Sequence, residues 1–390
     1  MNPAKTKKPF VAIACGGTGG HLFPGLAVAE QLKQRGCDVA LLISPKDIDQ
    51  QAVKAISRME IFTLPAVALQ DRNYFSFARC FLKSLFATRN IFKRHRPDAV
   101  LAMGGFTSVP PVLAGKFAGV KTFLHESNTI PGKSNRFLSR FVDVAFISFP
   151  EAATRLKARR VETTGTPVRE QFFRSATRNP QSAIALSLDP NLPIVLAIGG
   201  SQGARGLNAM IFSALPLLKD RGWQWLHLTG PNDFEKAKAA YAALGIKAVV
   251  KPFLAEMDLA LGAATACVSR AGASSLAEIA AMRLPSALVP LATAADNHQF
   301  FNATAFAKTG AAKLLEQKSS PERVAVVLTE LVENEMSRSQ MQSGLLQWHA
   351  PNAAEHITGI ILDAACRSAV SASATPLQNL DARASCPRSA

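Results

Sequence analysis

The sequence predicts an α/β protein made of two similar halves, each with a parallel β-sheet covered by helices on both faces. Three observations indicate this class. Short apolar runs alternate with amphipathic stretches, the first run of each half leads into a glycine-rich turn, and the pattern restarts near the middle of the 390-residue chain. Buried strands that alternate with helices are typical of βαβ units, whose strands pair in parallel. A chain of this length also suits two domains.

The first half begins with an apolar strand at 10–15, which is followed by a glycine turn and by a helix from Leu22 to Arg35. Apolar residues at positions 22, 26, 29 and 32 give this helix one buried face, and Gly36 marks its end. The later apolar runs of this half are predicted to be buried strands, at 38–43, 99–103, 121–124 and 142–147.

The second half opens in the same way as the first. FVAIACGGTGGHL in the first half is matched by PIVLAIGGSQGARGL in the second, and the first glycines of the two turns, Gly16 and Gly199, are 183 residues apart. A helix is expected to begin near Leu207, after a strand at 193–198. The strands that follow are predicted at 225–228, 248–250, 266–269 and 286–289.

These patterns predict a first domain at 1–170, completed by a helix around 350–364, and a second domain at 171–349. The polar segment 171–191 contains Pro180 and Pro190 and is predicted to link the two domains. The segment 366–390 is rich in Ser and Ala and has no apolar period, which predicts a disordered tail.

The composition narrows the classes of partner. Lys and Arg total 44 against 28 Asp and Glu, a net charge of +16 that favours phosphorylated substrates, nucleic acid or an anionic membrane surface. The six cysteines are scattered without a CxxC pair, which predicts a reduced, cytoplasmic protein. No apolar stretch approaches the ~18 residues of a spanning helix, so any membrane contact is expected to be peripheral.

Glycine-rich turns at strand ends are the first candidate binding features. GGTGGH at 16–21 and GGSQGARG at 199–206 each lie between a strand and a helix, where a helix N-terminus favours an anion such as phosphate. The first turn spells neither GxGxxG nor a Walker A loop. The alternative is a plain turn that packs helix on strand. A third pair, Gly104–Gly105, follows another predicted strand.

Polar segments follow other strands at equivalent places. They are HESN at 125–128, GTPVR at 165–169, SRAGASSLAE at 269–278 and DNHQ at 296–299. Ligands of open α/β sheets bind beyond the carboxyl ends of the strands. The glycine turns and these polar segments, drawn from both halves, therefore predict a ligand-binding cleft between two domains.

Seven motifs in this order give the chain a family resemblance. They are GGTGGH, MGGF, HESN, GTPVR, GGSQGA, SRAGASSLAE and DNHQFFNA. Together they resemble the MurG family of peptidoglycan N-acetylglucosaminyltransferases over about 10–363. The family has the GT-B fold, in which two Rossmann-like domains face each other across a cleft. Three motifs depart from the usual family spelling, because Phe106 replaces Tyr, Ser127 replaces Gln and Thr166 replaces Asn.

The resemblance implies an inverting transfer of N-acetylglucosamine from UDP-N-acetylglucosamine to the undecaprenyl-pyrophosphoryl-N-acetylmuramoyl-pentapeptide acceptor. It places this reaction at the cytoplasmic face of the bacterial inner membrane, on a peripheral protein. It also implies that no metal ion and no other cofactor is bound. The oligomeric state stays open.

The resemblance also implies a set of substrate-binding residues from both halves. Near the donor sugar and the acceptor it places Thr18, Gly19 and Gly20. Around the donor it places Asn128 and Gln299 at the sugar and Leu254 at the uracil. At the diphosphate it places Arg169 together with Ser201, Gln202 and Gly203. At the ribose it places Glu278, which ends the binding segment Ala273, Ser274, Ser275, Leu276, Ala277 and Glu278. A carboxylate suits the ribose because it accepts two hydrogen bonds.

An inverting transfer needs a base for the acceptor hydroxyl and positive potential for the departing UDP. His21, at the mouth of the first glycine turn, is the leading candidate base, since imidazole titrates near neutral pH. The alternative is that His21 positions the turn or binds the acceptor diphosphate. Glu126 is a weaker candidate base. Asp47-Ile48-Asp49 spells the DxD metal motif of another transferase class, but it lies away from the nucleotide motifs.

The segment 74–96 predicts an amphipathic helix with a wide apolar arc and only basic charges. Such a helix suits an anionic membrane interface, and Phe77, Phe81 and Leu85 are its candidate membrane-contact residues. The alternative is an ordinary helix that covers the sheet.

Three other functions compete with this interpretation. The first is another GT-B enzyme, either a glycolipid or antibiotic glycosyltransferase or a UDP-N-acetylglucosamine epimerase. The second is a dinucleotide-binding oxidoreductase, which the missing GxGxxG motif disfavours. The third is a nucleic-acid binder, which only the net charge supports, because no nucleic-acid-binding motif accompanies it.

Overall fold

The computed structural model describes residues 8–46, 49–50, 59–65, 74–173, 178–200 and 203–373. These residues form two parallel β-sheets, one in each half of the chain, with helices on both faces. The predicted α/β class with two doubly wound sheets is therefore confirmed.

The first sheet has seven parallel strands in the order β3-β2-β1-β4-β5-β6-β7. They are β1 Phe10–Ala14, β2 Asp38–Ile43, β3 Glu60–Thr63, β4 Ala99–Ala102, β5 Lys121–Glu126, β6 Val144–Ile147 and β7 Arg160–Thr163. The helices of this half are α1 Gly19–Gln34, α2 Tyr74–Arg94, α3 Val109–Phe117 and α4 Lys133–Leu138.

The second sheet has six parallel strands in the order β10-β9-β8-β11-β12-β13. They are β8 Ile194–Ile198, β9 Gln224–Leu228, β10 Ala248–Lys251, β11 Ala266–Ser269, β12 Ser286–Leu288 and β13 Lys313–Leu314. The helices are α5 Pro180–Ala185, α6 Arg205–Leu218, α7 Phe234–Ala243, α8 Met257–Ala263, α9 Ala273–Ala281, α10 His298–Lys308, α11 Pro321–Glu333 and α12 Glu335–Leu346, and the last described helix is α13 Ala353–Ser373.

Both sheets reverse their strand order next to their first strand, β1 in one and β8 in the other. Such a reversal leaves a crevice outside the carboxyl ends of the strands, because the helices on the two sides lie on opposite faces. The two glycine-rich turns follow β1 and β8 directly. Each half therefore places its glycine turn at its own ligand-binding crevice.

The first core lies on both faces of its sheet because neighbouring strand residues point to opposite sides. Val11 and Ile13 of β1 pack on one face, together with residues of α1 and α13, while Ala12 and Ala14 pack on the other with residues of α2 and α3. A third, separate core surrounds the second sheet. Strands buried on both faces explain the continuous apolar runs of the sequence.

The segment 171–191 is more ordered than a simple linker. Outside residues 174–177, which are not among the described residues, it contains α5, and Ala183, Leu186 and Leu188 are buried in the core of the second domain. Asn179 caps α5 by accepting a hydrogen bond from the Gln181 N–H. Proline at the first turn of a helix is compatible with this conformation, so Pro180 starts the helix.

Helix α13 returns the chain to the first domain, where Ile357 and Ile361 are fully buried in its core. The helix continues to Ser373, so residues 366–373 are helical and the predicted disordered tail begins too early. No helix breaker occurs before Pro376, which accounts for the extension. The remainder of the predicted tail, 374–390, lies outside the described residues.

Candidate active site

The first glycine turn is held in place from the end of β2. The Gly17 N–H donates to Asp49 Oδ2 at 2.6 Å, and the same oxygen accepts from the Ser44 N–H at 3.2 Å and the Ser44 hydroxyl at 2.5 Å. Lys46 Nζ donates to the Gly17 carbonyl at 2.8 Å. A Cβ on Gly16 would lie 2.3 Å from the Ser44 nitrogen, so only glycine fits there.

His21 lies in the first turn of α1 and packs against the turn after β4. A Cβ on Gly104 would lie 2.7 Å from its Cε1, and one on Gly105 would lie 3.4 Å from its Cδ2. A ring nitrogen bonds the Met103 carbonyl, which can only accept, so this nitrogen carries the proton. Burial lowers the pKa of His21, and the Glu126 carboxylate opposes that shift. The neutral imidazole keeps a lone pair on its second nitrogen and can act as a base.

Glu126 is buried and uses both carboxylate oxygens within its own loop. Oε1 accepts from the N–H and the side-chain amide of Asn128 at 2.9 and 3.0 Å, while Oε2 accepts from the Gly132 N–H and Asn135 Nδ2, each at 2.9 Å. A carboxylate has about four acceptor positions, so these bonds leave none for a substrate proton. Its geometry therefore suits a residue that orders the loop after β5 rather than a base.

His125 also has a structural environment. It is fully buried, its Nε2 lies 3.0 Å from the Gly165 carbonyl, and its Nδ1 lies 3.2 Å from the Ser127 hydroxyl. The carbonyl requires a proton on Nε2, so Nδ1 accepts from Ser127. Burial lowers the pKa of His125 to about 4. Ser127, the shortened side chain of the HESN segment, is therefore a hydrogen-bond partner of its neighbour.

Asn302 on α10 joins the two domains. Its side chain is fully buried, and its Oδ1 accepts from the Thr129 N–H at 3.0 Å and the Thr129 hydroxyl at 2.9 Å. Its Nδ2 donates to Asn128 Oδ1 at 3.0 Å and to the Ala271 carbonyl at 3.2 Å. The Asn302 amide thus forms hydrogen bonds with residues of both domains and fixes the orientation of the Asn128 side chain.

Two further polar contacts bring the halves together. The Ser274 hydroxyl, at the start of α9, donates to the Gly20 carbonyl at 3.1 Å. Arg136 on α4 forms an ion pair with Asp296 at 2.5 Å. The first glycine turn, with Thr18, Gly19 and Gly20, therefore faces the segment 273–278 across the cleft. The Thr18 hydroxyl caps no backbone N–H of α1.

Arg169 and Glu278 place opposite charges near each other at the boundary between the domains. The Arg169 guanidinium lies over the Phe23 ring at 4.6 Å and the Phe172 ring at 5.3 Å. Its buried Nε has no hydrogen-bond partner among the described residues. Burial raises the pKa of Glu278 to about 7, Arg169 opposes this shift, and Asp258 adds to it. A guanidinium with an unpartnered nitrogen near a carboxylate suits a ligand that carries phosphates and hydroxyls.

The second glycine turn is strongly curved. Gly200 and Gly203 have φ values of +96° and +75°, and the Gly203 N–H donates to the Gly200 carbonyl at 2.9 Å. A Cβ on Gly203 would lie 2.3 Å from the Thr229 carbonyl oxygen, so glycine is required there. Ser201 and Gln202, expected at the diphosphate, lie outside the described residues.

The remaining expected donor contacts differ in accessibility. Leu254 is only 8% exposed and belongs to the second core, so little of this residue is accessible to a ligand. Gln299 Oε1 accepts from the Leu291 N–H at 3.0 Å, which leaves its NH₂ group for a ligand. Within the segment 273–278, Ala273 and Leu276 are buried, while the half-buried members are Ser274, Ser275, Ala277 and Glu278.

The apolar residues of α2 occupy two rows. Phe81 and Leu85 are half-buried and pack on the first core, and the Phe77 ring lies 5.9 Å from that of Phe106. The exposed row is instead Phe75, Leu82 and Phe86, at 82%, 50% and 60% exposure. Of the expected membrane row, Phe81 and Leu85 therefore pack on the first core, while Phe77 lies against Phe106 and is half-buried. The apolar arc covers both rows, so periodicity alone could not identify the one that packs on the sheet.

Two residues that shape the site were missed in the sequence. Asp49 appeared only as part of a metal motif, yet its carboxylate fixes the first glycine turn, while Asp47 and Ile48 lie outside the described residues. Asn302 appeared only as a letter of DNHQFFNA. A carboxylate shortly after β2 was the only signal for the first role, and a motif position without an assigned contact was the only signal for the second.

Family models match both halves of the chain. The glycosyltransferase family 28 N-terminal domain matches residues 11–147, and the C-terminal domain of the same family matches residues 194–357. These ranges contain the first glycine turn, the HESN segment, Glu278 and Asn302.

Relatives with specific names cover most of the chain. An enzyme of Parasynechococcus marenigrum, UDP-N-acetylglucosamine–N-acetylmuramyl-(pentapeptide) pyrophosphoryl-undecaprenol N-acetylglucosamine transferase, is 40% identical over 78% of this chain and 82% of its own length. An enzyme of the same name from an Anaeromyxobacter species is 34% identical over 89% of this chain and 91% of its own.

A solved structure shares the arrangement of the two domains. The crystal structure of MurG from Acinetobacter baumannii superposes with a TM-score of 0.72 at 29% identity, and covers 92% of this chain and 100% of its own. The chain therefore belongs to the MurG family, within glycosyltransferase family 28.

Proposed function

We propose that this protein is a hexosyltransferase that moves N-acetylglucosamine from UDP-N-acetylglucosamine to the lipid-linked N-acetylmuramoyl-pentapeptide acceptor of peptidoglycan synthesis. The names of its relatives supply this reaction. The observation that carries the proposal is the hydrogen bond from the Ser274 hydroxyl to the Gly20 carbonyl, which brings the first glycine turn, next to His21, against the segment that carries Glu278.

The donor lies against the second domain in this proposal. Glu278 accepts hydrogen bonds from the two ribose hydroxyls. An ionised carboxylate accepts such bonds more strongly than a neutral group does. The diphosphate binds the terminal nitrogens of the Arg169 guanidinium and the free N–H groups at the N-terminus of α6. The sugar then extends toward Asn128 and the NH₂ group of Gln299.

The chemical step is a displacement at the anomeric carbon. The acceptor hydroxyl oxygen forms the new bond to this carbon while the bond to the UDP oxygen breaks, and the configuration inverts. His21 takes the hydroxyl proton on its free ring nitrogen, and the Met103 carbonyl holds its other N–H. Arg169 and the amide-rich second turn stabilise the charge that develops on UDP, and each such donor contributes roughly 10²–10³ in rate.

The acceptor is placed at an anionic membrane surface, which we propose is the cytoplasmic face of the inner membrane. Helix α2 offers the exposed row Phe75, Leu82 and Phe86. The same helix carries exposed basic side chains, which are Arg79, Lys83, Arg89, Lys93 and Arg94. An apolar row with basic neighbours suits an anionic bilayer interface. None of the described helices is both long enough and apolar enough to span a bilayer.

A transfer assay tests the reaction. Labelled N-acetylglucosamine should move from UDP to undecaprenyl-pyrophosphoryl-N-acetylmuramoyl-pentapeptide only when this acceptor is present. His21→Gln should lower kcat at least about 100-fold while UDP affinity stays unchanged. His356→Gln, at an exposed histidine of α13, is the matched control. Conversion of the donor sugar without an acceptor would instead support the epimerase alternative.

A vesicle assay tests the membrane contact. Replacing Phe75, Leu82 and Phe86 with Ser should weaken sedimentation with phosphatidylglycerol-containing vesicles and should leave UDP binding intact. Met336→Ser, at a 72% exposed side chain of the second domain, is the control. Equal sedimentation of the triple variant and the control would contradict the placement of the membrane on this row.

A further inference from the structure

An open apolar groove lies in the first domain, between α2, the turn after β4 and α4. Its volume is about 310 Å³, and the residues that line it are Phe77, Phe81, Phe106, Val109, Lys133, Ser134 and Phe137. The volume is at the lower limit of small-molecule sites, which span roughly 300–1,000 Å³. The groove therefore holds a short stretch of a ligand rather than a whole lipid.

The groove opens to solvent although aromatic rings form most of its wall. Phe106 and Phe137 are 37% and 42% exposed, and the Phe106 ring meets Phe77 edge to face at 5.9 Å. The ring of Phe106 carries no hydroxyl, so this wall is wholly apolar where the usual family spelling has Tyr. An exposed apolar concavity of this kind is complementary to an apolar group.

The wall of the groove is bonded to the first glycine turn. The Thr107 hydroxyl donates to the Gly16 carbonyl at 3.2 Å, and the Ser108 hydroxyl donates to the Ala14 carbonyl at 3.0 Å. Gly105, directly before Phe106, packs against the His21 ring. A ligand with one end in the groove therefore has its other end beside the candidate base.

The polar side of the groove carries a positive charge. Lys133 lines the groove and is exposed, and it has no ion-pair partner in the part of the chain that the structure describes. Arg136, one turn further along α4, is already paired with Asp296. An apolar groove with a free ammonium group matches a molecule that has an apolar chain attached to a diphosphate.

We propose that this groove binds the first isoprenoid units of a polyprenyl diphosphate, with the diphosphate between Lys133 and the first glycine turn. This assignment rests on the proposed function, because the acceptor there is a lipid-linked diphosphate. It also separates two roles on α2. The groove-lining residues Phe77 and Phe81 contact the chain of the acceptor, and the exposed row Phe75, Leu82 and Phe86 contacts the bilayer around it.

Calorimetric titration with farnesyl diphosphate and with inorganic pyrophosphate tests the groove without any transfer step. The wild-type protein should bind farnesyl diphosphate at least about tenfold more tightly than pyrophosphate, since burial of two methylene groups alone gives a factor of this size. Phe77→Ser with Phe137→Ser should remove this preference. Phe75→Ser, on the same helix but facing outward, should keep the preference for farnesyl diphosphate. Lys133→Gln should weaken the binding of both ligands by the same factor.

Two results would overturn the inference. One is a wild-type protein that binds the two ligands equally, and the other is a groove variant that keeps the full preference. Phe137→Ser alone, at a half-exposed ring, should still cut the preference if the double variant fails to fold. The transfer assay separates this outcome from the proposed function. If the groove variants still transfer N-acetylglucosamine to the undecaprenyl acceptor as well as the wild type does, the groove is not the site of the isoprenoid chain, while the proposed reaction is unaffected.

Discussion

Replacement of Glu278 by Gln tests whether the cleft holds a carboxylate at an energetic cost. Burial raises the pKa of Glu278 from its usual 4.5 to about 7 in the folded protein. The unfolded chain releases this proton near pH 4.5, whereas the folded protein holds it up to about pH 7. The free energy of unfolding therefore falls as the pH rises from 4.5 to 7, and the loss is complete above pH 7. Gln carries no charge and has no such dependence.

The magnitude follows from the difference in pKa. At about 1.36 kcal/mol for each pKa unit, the rise from 4.5 to about 7 corresponds to at most about 3.4 kcal/mol. The side chain is only half-buried, so solvent screening reduces this to about 1–2 kcal/mol. Glu278→Gln should therefore unfold at a higher urea concentration than the wild type at pH 8, and at nearly the same urea concentration at pH 5.

The same substitution should also weaken the binding of UDP. Loss of a charged acceptor for two ribose hydroxyls should lower UDP affinity by about 10- to 100-fold at pH 8. Urea unfolding at the two pH values and calorimetric titration with UDP measure both effects, and Glu335→Gln, at an exposed carboxylate of α12, is the control. A variant that gains no stability at pH 8, or that binds UDP as the wild type does, would refute the reasoning.

Three further changes probe the rest of the site. Gly104→Ala places a Cβ 2.7 Å from the His21 ring at a φ of +114°, so it should lower the free energy of unfolding by about 1–3 kcal/mol and kcat by at least about tenfold, measured by urea unfolding and steady-state kinetics. Asn302→Ala should cost about 1–3 kcal/mol in urea unfolding, because the buried Thr129 N–H loses its acceptor. Since burial lowers the pKa of His21, kcat/KM should fall on acidification with an apparent pKa below 6.5, and a higher value would contradict the base assignment.

The sequence predicted the strands most accurately where both faces are buried. The strand at 38–43 has the predicted bounds, and so does the one at 266–269. The short edge strands β3 and β13 were not predicted, because half-buried edges lack a continuous apolar run. Helix α1 starts three residues before the prediction, since its glycines hide the helical pattern.

The candidate site was predicted as a set of residues but not as a network. The motifs indicated that His21, Asn128, Arg169 and Glu278 belong to one cleft. The partners that orient them could not be read from the sequence, since they are backbone carbonyls or distant side chains. The contact of Asn128 with Asn302 spans 174 positions, and only the packing of the two domains brings the pair together.

The structure of the protein with UDP-N-acetylglucosamine bound tests the central claim most directly. In that complex we expect the Glu278 carboxylate to accept hydrogen bonds from the ribose hydroxyls, Arg169 to lie at the diphosphate, and the His21 ring to face the anomeric carbon from the side opposite the diphosphate. A donor bound away from Glu278, or an anomeric carbon whose open side faces a group other than His21, would contradict it.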